Sequence, residues 1–306
     1  MKLRNSLLLL LTATIWGVAF VAQSIGMDHV GPLTFLFARS VIAGIMLLPV
    51  VAVLRKNGAA PPPRTAAEGR RARRTLWLGG LCCGAALCAA SICQQVGLLY
   101  TTVGKSGFLT ACYILIVPLF GLLFGRRCGK LVWCGVALAI VGLYLLCLTD
   151  GLHIGWGDAI TFCCAILFAV HILVIDHFAP RTDGVAMSCI QFFVCAAIAG
   201  VGMLLFEQPT LAAVLAAWKP ILYAGALSSG VGYTLQIIGQ KGVDPTVASL
   251  IMSLESVVSV LAGWLILKQA MSGRELLGCA LMFAAIVLVQ LPDRTAPRRK
   301  EGIEQR

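Results

Sequence analysis

The residue best suited to chemistry in this sequence is a glutamate inside an apolar segment. Glu255 lies near the middle of residues 248–269, ASLIMSLESVVSVLAGWLILKQ. This segment is long enough to cross a bilayer, for which about 20 apolar residues suffice. An acid at the bilayer centre costs roughly 2.5–3.5 kcal/mol on insertion scales, so it usually faces a cavity. We predict that Glu255 carries a proton or binds a cationic substrate. The alternative is a structural acid held by the hydroxyls of Ser253 and Ser256.

Five further side chains could take part in binding or coupling, and each has an alternative interpretation. They are Arg39, Trp16, Tyr113, Tyr233 and His171. The arginine is predicted eight residues into its helix, about 12 Å deep at 1.5 Å per residue, where it contacts substrate or forms a structural salt bridge. The aromatic rings suit the wall of a cavity for amphiphiles, or simply pack between helices. The histidine relays protons or binds substrate, or it is a neutral ring bonded to a backbone carbonyl.

The composition shows what kind of fold must position these residues. The chain is 59% hydrophobic and 12% charged, with a mean hydropathy of +0.92. Such a composition excludes a soluble globule and predicts an all-α polytopic membrane protein. We place ten transmembrane helices at residues 5–26, 31–54, 75–99, 102–125, 130–149, 154–177, 184–206, 219–241, 245–267 and 273–291.

Basic residues predict the orientation of these helices. Most of the 24 Lys and Arg residues fall in segments that share one side when the amino terminus is cytoplasmic. The positive-inside rule therefore places both termini in the cytoplasm, across a bacterial-type cytoplasmic membrane. The net charge of +11 serves this topology, and nucleic acid is not an expected partner.

A second feature is an internal repeat. Residues 106–127 align without a gap with residues 248–269, which places Tyr113 opposite Glu255. In the same register, Gln94 aligns with Gln236. Two units of five helices are predicted, residues 5–149 and 154–291, followed by a basic cytoplasmic tail, 292–306. Because five is odd, the second unit must cross the membrane inverted, and inverted repeats hold their substrate between them near the midplane.

Several stretches carry a family resemblance. Residues 12–39 and 94–125 resemble the first EamA domain of the drug/metabolite transporter superfamily, and residues 157–174 and 222–267 resemble the second. This resemblance implies a ten-helix transporter of small metabolites, often an exporter of amino acids or drugs. The chain departs from the family where Ser256 and Ile114 replace prolines that commonly follow the acid and the tyrosine, so helix kinks at these points are not predicted.

The function we expect is secondary transport by alternating access, with export and proton coupling as its finer features. The alternatives are a non-transporting membrane scaffold or sensor, and an intramembrane enzyme. Residues 155–158 spell the GxGD of intramembrane aspartyl proteases, but no second acid is predicted at matching depth. No catalytic residue, metal site or cofactor is expected, and no GxxxxGK[ST] motif occurs. The expected partners are a small-molecule substrate and the lipid bilayer, and a homo-oligomer is compatible with the sequence.

Overall fold

The computed structural model describes residues 3–56, 65–100, 103–123, 125, 129–147, 155–267 and 272–290, and all regular secondary structure within these ranges is helical. The predicted tail, 292–306, lies outside them. The first half contains α1 (Leu3–Met27), α2 (Pro32–Lys56), α3 (Ala66–Leu98), α4 (Val103–Ala111), α5 (Tyr113–Leu123) and α6 (Lys130–Cys147). The second half contains α7 (Trp156–Phe178), a 3₁₀ turn (Ala179–Arg181), α8 (Gly184–Phe206), α9 (Leu211–Ala216), α10 (Trp218–Leu222), a π-helix (Tyr223–Tyr233), α11 (Thr234–Gln240), α12 (Pro245–Met252), α13 (Glu255–Leu267) and α14 (Gly273–Gln290).

The helices have the lengths and surfaces of membrane spans. Among the described residues, eight helical segments are long and apolar enough to cross a bilayer, and Lys130–Leu145 is a shorter apolar helix. Large apolar side chains face outward, such as Leu204 and Phe206, which are 77% and 80% exposed. An apolar exterior over hydrogen-bonded helices is what a hydrocarbon solvent requires. The prediction of an all-α membrane protein is confirmed, whereas the count of ten helices stays a prediction.

Two spans are broken at the residues that the repeat aligns. One break separates α4 from α5 just before Tyr113, and the other separates α12 from α13 just before Glu255. No proline stands at either break. In the second break, the hydroxyl of Ser253 donates to the carbonyl of Leu250 at 2.7 Å, and the N–H of Leu254 bonds to Ile251 three residues back. Serine hydroxyls that compete for helix carbonyls bend helices, which explains a break without proline.

Contacts between the two halves come in pairs related by exchanging the halves. Helix α3 packs on α7, and α1 packs on α11. Likewise α1 packs on α13, and α7 packs on α4 and α5. Helix α3 also packs on α8, and the equivalent contact after the exchange is that of α2 with the π-helix. The pairs α2 with α8 and α6 with α14 each join two equivalent helices, so exchanging the halves leaves each pair unchanged. The two halves therefore interlock as equivalent partners.

A carboxylate joins two of these paired helices at one end of the bundle. Glu207, directly after α8, accepts hydrogen bonds from the backbone N–H groups of Leu33 and Thr34, both at 2.8 Å. These N–H groups lie in the first turn of α2, where no helical carbonyl can satisfy them. A Cβ at Gly31 would lie 2.3 Å from the Glu207 carboxyl carbon, so only glycine leaves room for this cap.

Gly84 lies where α3 approaches α8 closely. A Cβ there would lie 2.7 Å from the backbone carbonyl oxygen of Gln191 in α8. We expect Gly84→Ala to destabilise the protein by about 1–3 kcal/mol, because an overpacked contact must move the backbone. The measurement is thermal unfolding of the purified protein in detergent. Gly273→Ala is the control, since no atom of the described residues lies within 4 Å of its added Cβ. Equal losses in both variants would contradict the prediction.

Candidate functional site

A small cavity in the middle of the bundle is lined by side chains from both halves. Its walls come from α1, α2, α3, α4, α5, α7, the π-helix and α13, and its lining residues are Trp16, Ala19, Phe20, Gln23, Arg39, Gln94, Thr110, Tyr113, Phe168, Ser228, Tyr233 and Glu255. About 30 Å³ is available to the centres of water-sized molecules. That volume holds about two waters at 10–15 Å³ each, so the space between the lining side chains is small.

Glu255 and Tyr113, the residues that the repeat aligns, meet at this cavity. The Tyr113 hydroxyl donates to Glu255 Oε1 at 3.1 Å, and the two residues are only 3% and 4% exposed respectively. The serines expected to hold Glu255 bond elsewhere: Ser253 donates to Leu250, and Ser256 donates to the carbonyl of Gly107 at 3.2 Å. The acid is therefore held by a phenol from the opposite half, and the interpretation with serine partners is wrong.

The π-helix positions an aromatic wall. The rings of Trp16 and Tyr233 lie 4.5 Å apart between centroids, and Phe192 packs edge-on against Tyr233 at 5.7 Å. The indole N–H of Trp16 donates to the carbonyl of Ser228 at 3.2 Å. A π-helical turn bonds five residues apart and often marks functional sites. Here it supplies both a carbonyl for the indole and the tyrosine that completes the wall.

Arg39 brings a positive charge to the cavity lining. The residue is 4% exposed, and its Nη1 donates to Gln23 Oε1 at 3.1 Å. Its Nε is buried and has no hydrogen-bond partner among the residues that the structure describes. A guanidinium binds carboxylates and phosphates through paired N–H groups, and an unsatisfied buried N–H favours such an acceptor. The cavity thus presents a cationic group and an acidic group to the same small space.

His171 lies one layer behind the cavity. It is completely buried, with Nε2 at 3.3 Å from Gln191 Oε1 and its ring edge-on to Tyr233 at 5.9 Å. Its partner is a side-chain amide, whereas the structural alternative assumed a backbone carbonyl. The histidine does not line the cavity, but it supports the aromatic wall from behind.

Four polar residues of the lining were not predicted from the sequence: Gln23, Gln94, Thr110 and Ser228. The repeat identifies Gln94 only as the residue that aligns with Gln236, yet its Nε2 lies 3.5 Å from Thr110 Oγ1. Amide side chains within apolar segments were the available signal, because a buried amide needs partners. The acid of the GxGD stretch takes no part: Asp158 accepts the N–H of Gly155 at 2.8 Å at the start of α7 and is absent from the lining.

Known proteins resemble this chain over nearly its whole length. An uncharacterized transporter of Archaeoglobus fulgidus is 26% identical over 295 residues, covering 95% of this chain and 87% of its own. The uncharacterized inner membrane transporter YedA of Escherichia coli K12 is 24% identical over 293 residues, with coverages of 93% and 90%. A solved crystal structure with 19% sequence identity shares the fold, with a TM-score of 0.75 over 94% of this chain and 96% of that one.

The family comparison agrees with these relatives. The model of the EamA-like transporter family matches twice, at residues 4–148 and 155–291. Together the two matches cover most of the chain and confirm the resemblance seen in the sequence. The chain belongs to the EamA-like transporter family and is a membrane-embedded transporter of small molecules.

Proposed function

We propose that this protein is a secondary transporter that works by alternating access around the central cavity. The observation that carries the proposal is the hydrogen bond from Tyr113 to Glu255 at the wall of a cavity built by both halves. A buried acid that faces such a cavity is typical of transport pathways and proton relays. Five of the six predicted residues form the proposed substrate and coupling site, and the sixth, His171, supports its aromatic wall: the five are Glu255, Tyr113, Trp16, Tyr233 and Arg39.

The proposed architecture is a pair of inverted five-helix repeats, residues 5–149 and 154–291, with ten spans and both termini in the cytoplasm. The exchange-related contacts between the halves support it. So does the meeting of Tyr113 with Glu255, because residues equivalent in two repeats approach each other only near the axis that relates the repeats. Rocking of one half against the other would then open the cavity to each side in turn.

The proposed substrates are zwitterionic metabolites of amino-acid type. Arg39 can bind a carboxylate, Glu255 can bind an ammonium group, and the ring of Trp16 offers an apolar face for the side chain. The amides of Gln23 and Gln94 add donors and acceptors between the charges. A substrate of this kind matches each lining group with a complementary one.

The proposed mode is export in exchange for protons. Glu255 can bind a cationic group only while ionised, so a proton and an ammonium group compete for the same carboxylate. If protons enter from outside as the substrate leaves, the proton gradient drives export. The resemblance to exporters supports the direction, and the single acid at the cavity supports the coupling.

Replacing Glu255 tests the coupling. Glu255→Gln keeps the size of the side chain and an acceptor for Tyr113, but the amide does not titrate. We expect the variant to fold normally and to lose either transport or the pH dependence of transport. If transport is lost, the flux should fall at least about tenfold, because the removed charged contact contributes roughly 1.4 kcal/mol or more. The measurement is substrate flux into liposomes across a pH series.

The matched control is Asp28→Asn, which removes a carboxylate from an exposed position after α1. It should keep the wild-type pH profile. Wild-type flux and pH profile in Glu255→Gln would assign the acid a structural role only, and absence of flux in the wild type with any substrate would favour the scaffold or sensor.

Removing one hydroxyl tests the partner of the acid. Tyr113→Phe leaves the ring in place but deletes the donor to Glu255. Because a hydrogen bond to a charged group contributes about 1.5–3 kcal/mol, we expect a shifted pH profile and a roughly 10- to 100-fold loss of flux at the optimum. Tyr223→Phe is the control, since its hydroxyl donates to the carbonyl of Ile15 at 3.2 Å away from the cavity lining. Equal effects of both changes on the pH profile would contradict the proposal.

A substrate comparison tests the role of Arg39. Arg39→Gln keeps hydrogen-bonding groups but removes the charge that would bind a carboxylate. We expect affinity for amino acids to fall about tenfold or more, while affinity for the corresponding decarboxylated amines changes little. Competition assays in liposomes measure both classes on the same variant. A parallel loss for both classes would show that the arginine holds the helices together and does not select the substrate.

A further inference from the structure

An apolar groove opens toward the membrane between the ends of α5 and α7. It has a volume of about 720 Å³, which is within the roughly 300–1,000 Å³ of sites that hold small molecules. Its lining is apolar except for one histidine: Phe120, Leu123, Val170, Leu173, Val174, His177 and Phe178. Leu123 is 80% exposed at the end of α5. The groove therefore offers hydrocarbon walls to the outside of the bundle.

A polar depression adjoins this groove on the other flank of α7. It lies between the start of α3 and the end of α7, and two residues, His177 and Phe178, line both depressions. The remaining lining residues are Glu68, Arg71, Ala72, Thr75, Leu78 and Arg181. Hydrocarbon walls thus continue directly into a surface that carries two arginines.

The charges in the polar depression are available to an anion. Arg181 Nη1 lies 2.8 Å from His177 Nε2, and a contact with an imidazole leaves the guanidinium charge uncancelled. Arg71 is exposed in the first turns of α3. The carboxylate of Glu68 belongs to the helix cap, where it accepts the N–H of Thr65 at 3.3 Å. A guanidinium group can bind a phosphate through paired N–H groups, because its planar fork of donors matches the spacing of phosphate oxygens. Two such groups line this depression.

Both depressions lie at the end of the bundle where α1 begins. Asn5 Nδ2 donates to the carbonyl of Lys241 at 2.8 Å, and Lys241 Nζ donates to the carbonyl of Thr182, next to Arg181, at 2.9 Å. In the proposed topology this end meets the cytoplasmic leaflet, whose anionic lipids attract basic residues at the surface.

We propose that this surface is a binding site for an anionic phospholipid. An acyl chain lies in the apolar groove between α5 and α7, and the phosphate of the headgroup binds Arg71 and Arg181 beside His177. Neither depression shares a residue with the central cavity, so the site is separate from that cavity. A zwitterionic phospholipid could fill the groove equally well and carries the same phosphate, but it would also bring a cationic group beside the two arginines, so a headgroup with a net negative charge matches them better.

Native mass spectrometry of the purified full-length protein tests the proposal. The protein is mixed with equal amounts of phosphatidylglycerol and phosphatidylcholine of the same chain length, and the ratio of the two bound lipids is measured. We expect the wild type to prefer phosphatidylglycerol, and the double variant Arg71→Gln with Arg181→Gln to lose roughly fivefold of that preference for each arginine removed. Absence of a preference in the wild type would overturn the proposal.

The matched control is Arg70→Gln with Arg73→Gln, which removes two exposed charges from α3 outside the lining. It should keep the wild-type ratio, and an equal loss in both double variants would reduce the effect to general surface charge. Excess inorganic phosphate should leave bound phosphatidylglycerol in place; full displacement would assign the arginines to a free anion. Val170→Phe narrows the groove at a surface-facing position and should lower retention of both lipids. Unchanged retention would show that the acyl chain does not lie in the groove.

Discussion

The structure depends on keeping one carboxyl group inside a medium that does not solvate it. Glu255 is buried among apolar helices, and the groups around it are arranged to make that burial tolerable. The break before α13 brings the acid to the first turn of a helix, where backbone N–H groups lack helical partners. The matching break before α5 turns Tyr113 toward the same point, and its hydroxyl completes the arrangement. Two membrane spans are thus interrupted at the residues that form this one polar contact.

The aromatic wall and the arginine complete the surroundings of that contact. Trp16 needs a carbonyl for its N–H, and the π-helix supplies one at Ser228. Arg39 needs acceptors, and Gln23 satisfies only part of its guanidinium. Arg39, a residue of the cavity lining, therefore keeps a donor that no described residue satisfies. Strong binding of a partner molecule is expected at the groups whose hydrogen bonds are missing within the protein.

The helices and five of the twelve residues that line the cavity could be predicted from the sequence, but the hydrogen-bond partners of individual side chains could not. Apolar segments predict spans because a bilayer demands backbone hydrogen bonds within each segment, and the spans obey that demand. Glu255, Tyr113, Trp16, Arg39 and Tyr233 were predictable because polar atoms in apolar segments must face a cavity or a partner. Ser253 and Ser256 were wrong as partners of the acid, because their hydroxyls bond backbone carbonyls instead: Ser253 that of Leu250 in the same span, and Ser256 that of Gly107 in α4. The break before α13 and the π-helix depend on such local competition among hydrogen bonds, which residue types alone do not decide.

The pairing of a phenol with an acid also limits how the two halves could ever exist apart. Two copies of the first half, associated in the same way, would bring two tyrosines together and leave no carboxylate at the centre. Two copies of the second half would bring two carboxylates together, and one of them would have to hold a proton permanently or the pair would repel. One copy of each half avoids both failures. Because both halves belong to one chain, every molecule contains one half with the tyrosine and one half with the acid. Separate halves that associate freely would also form the two mismatched pairs.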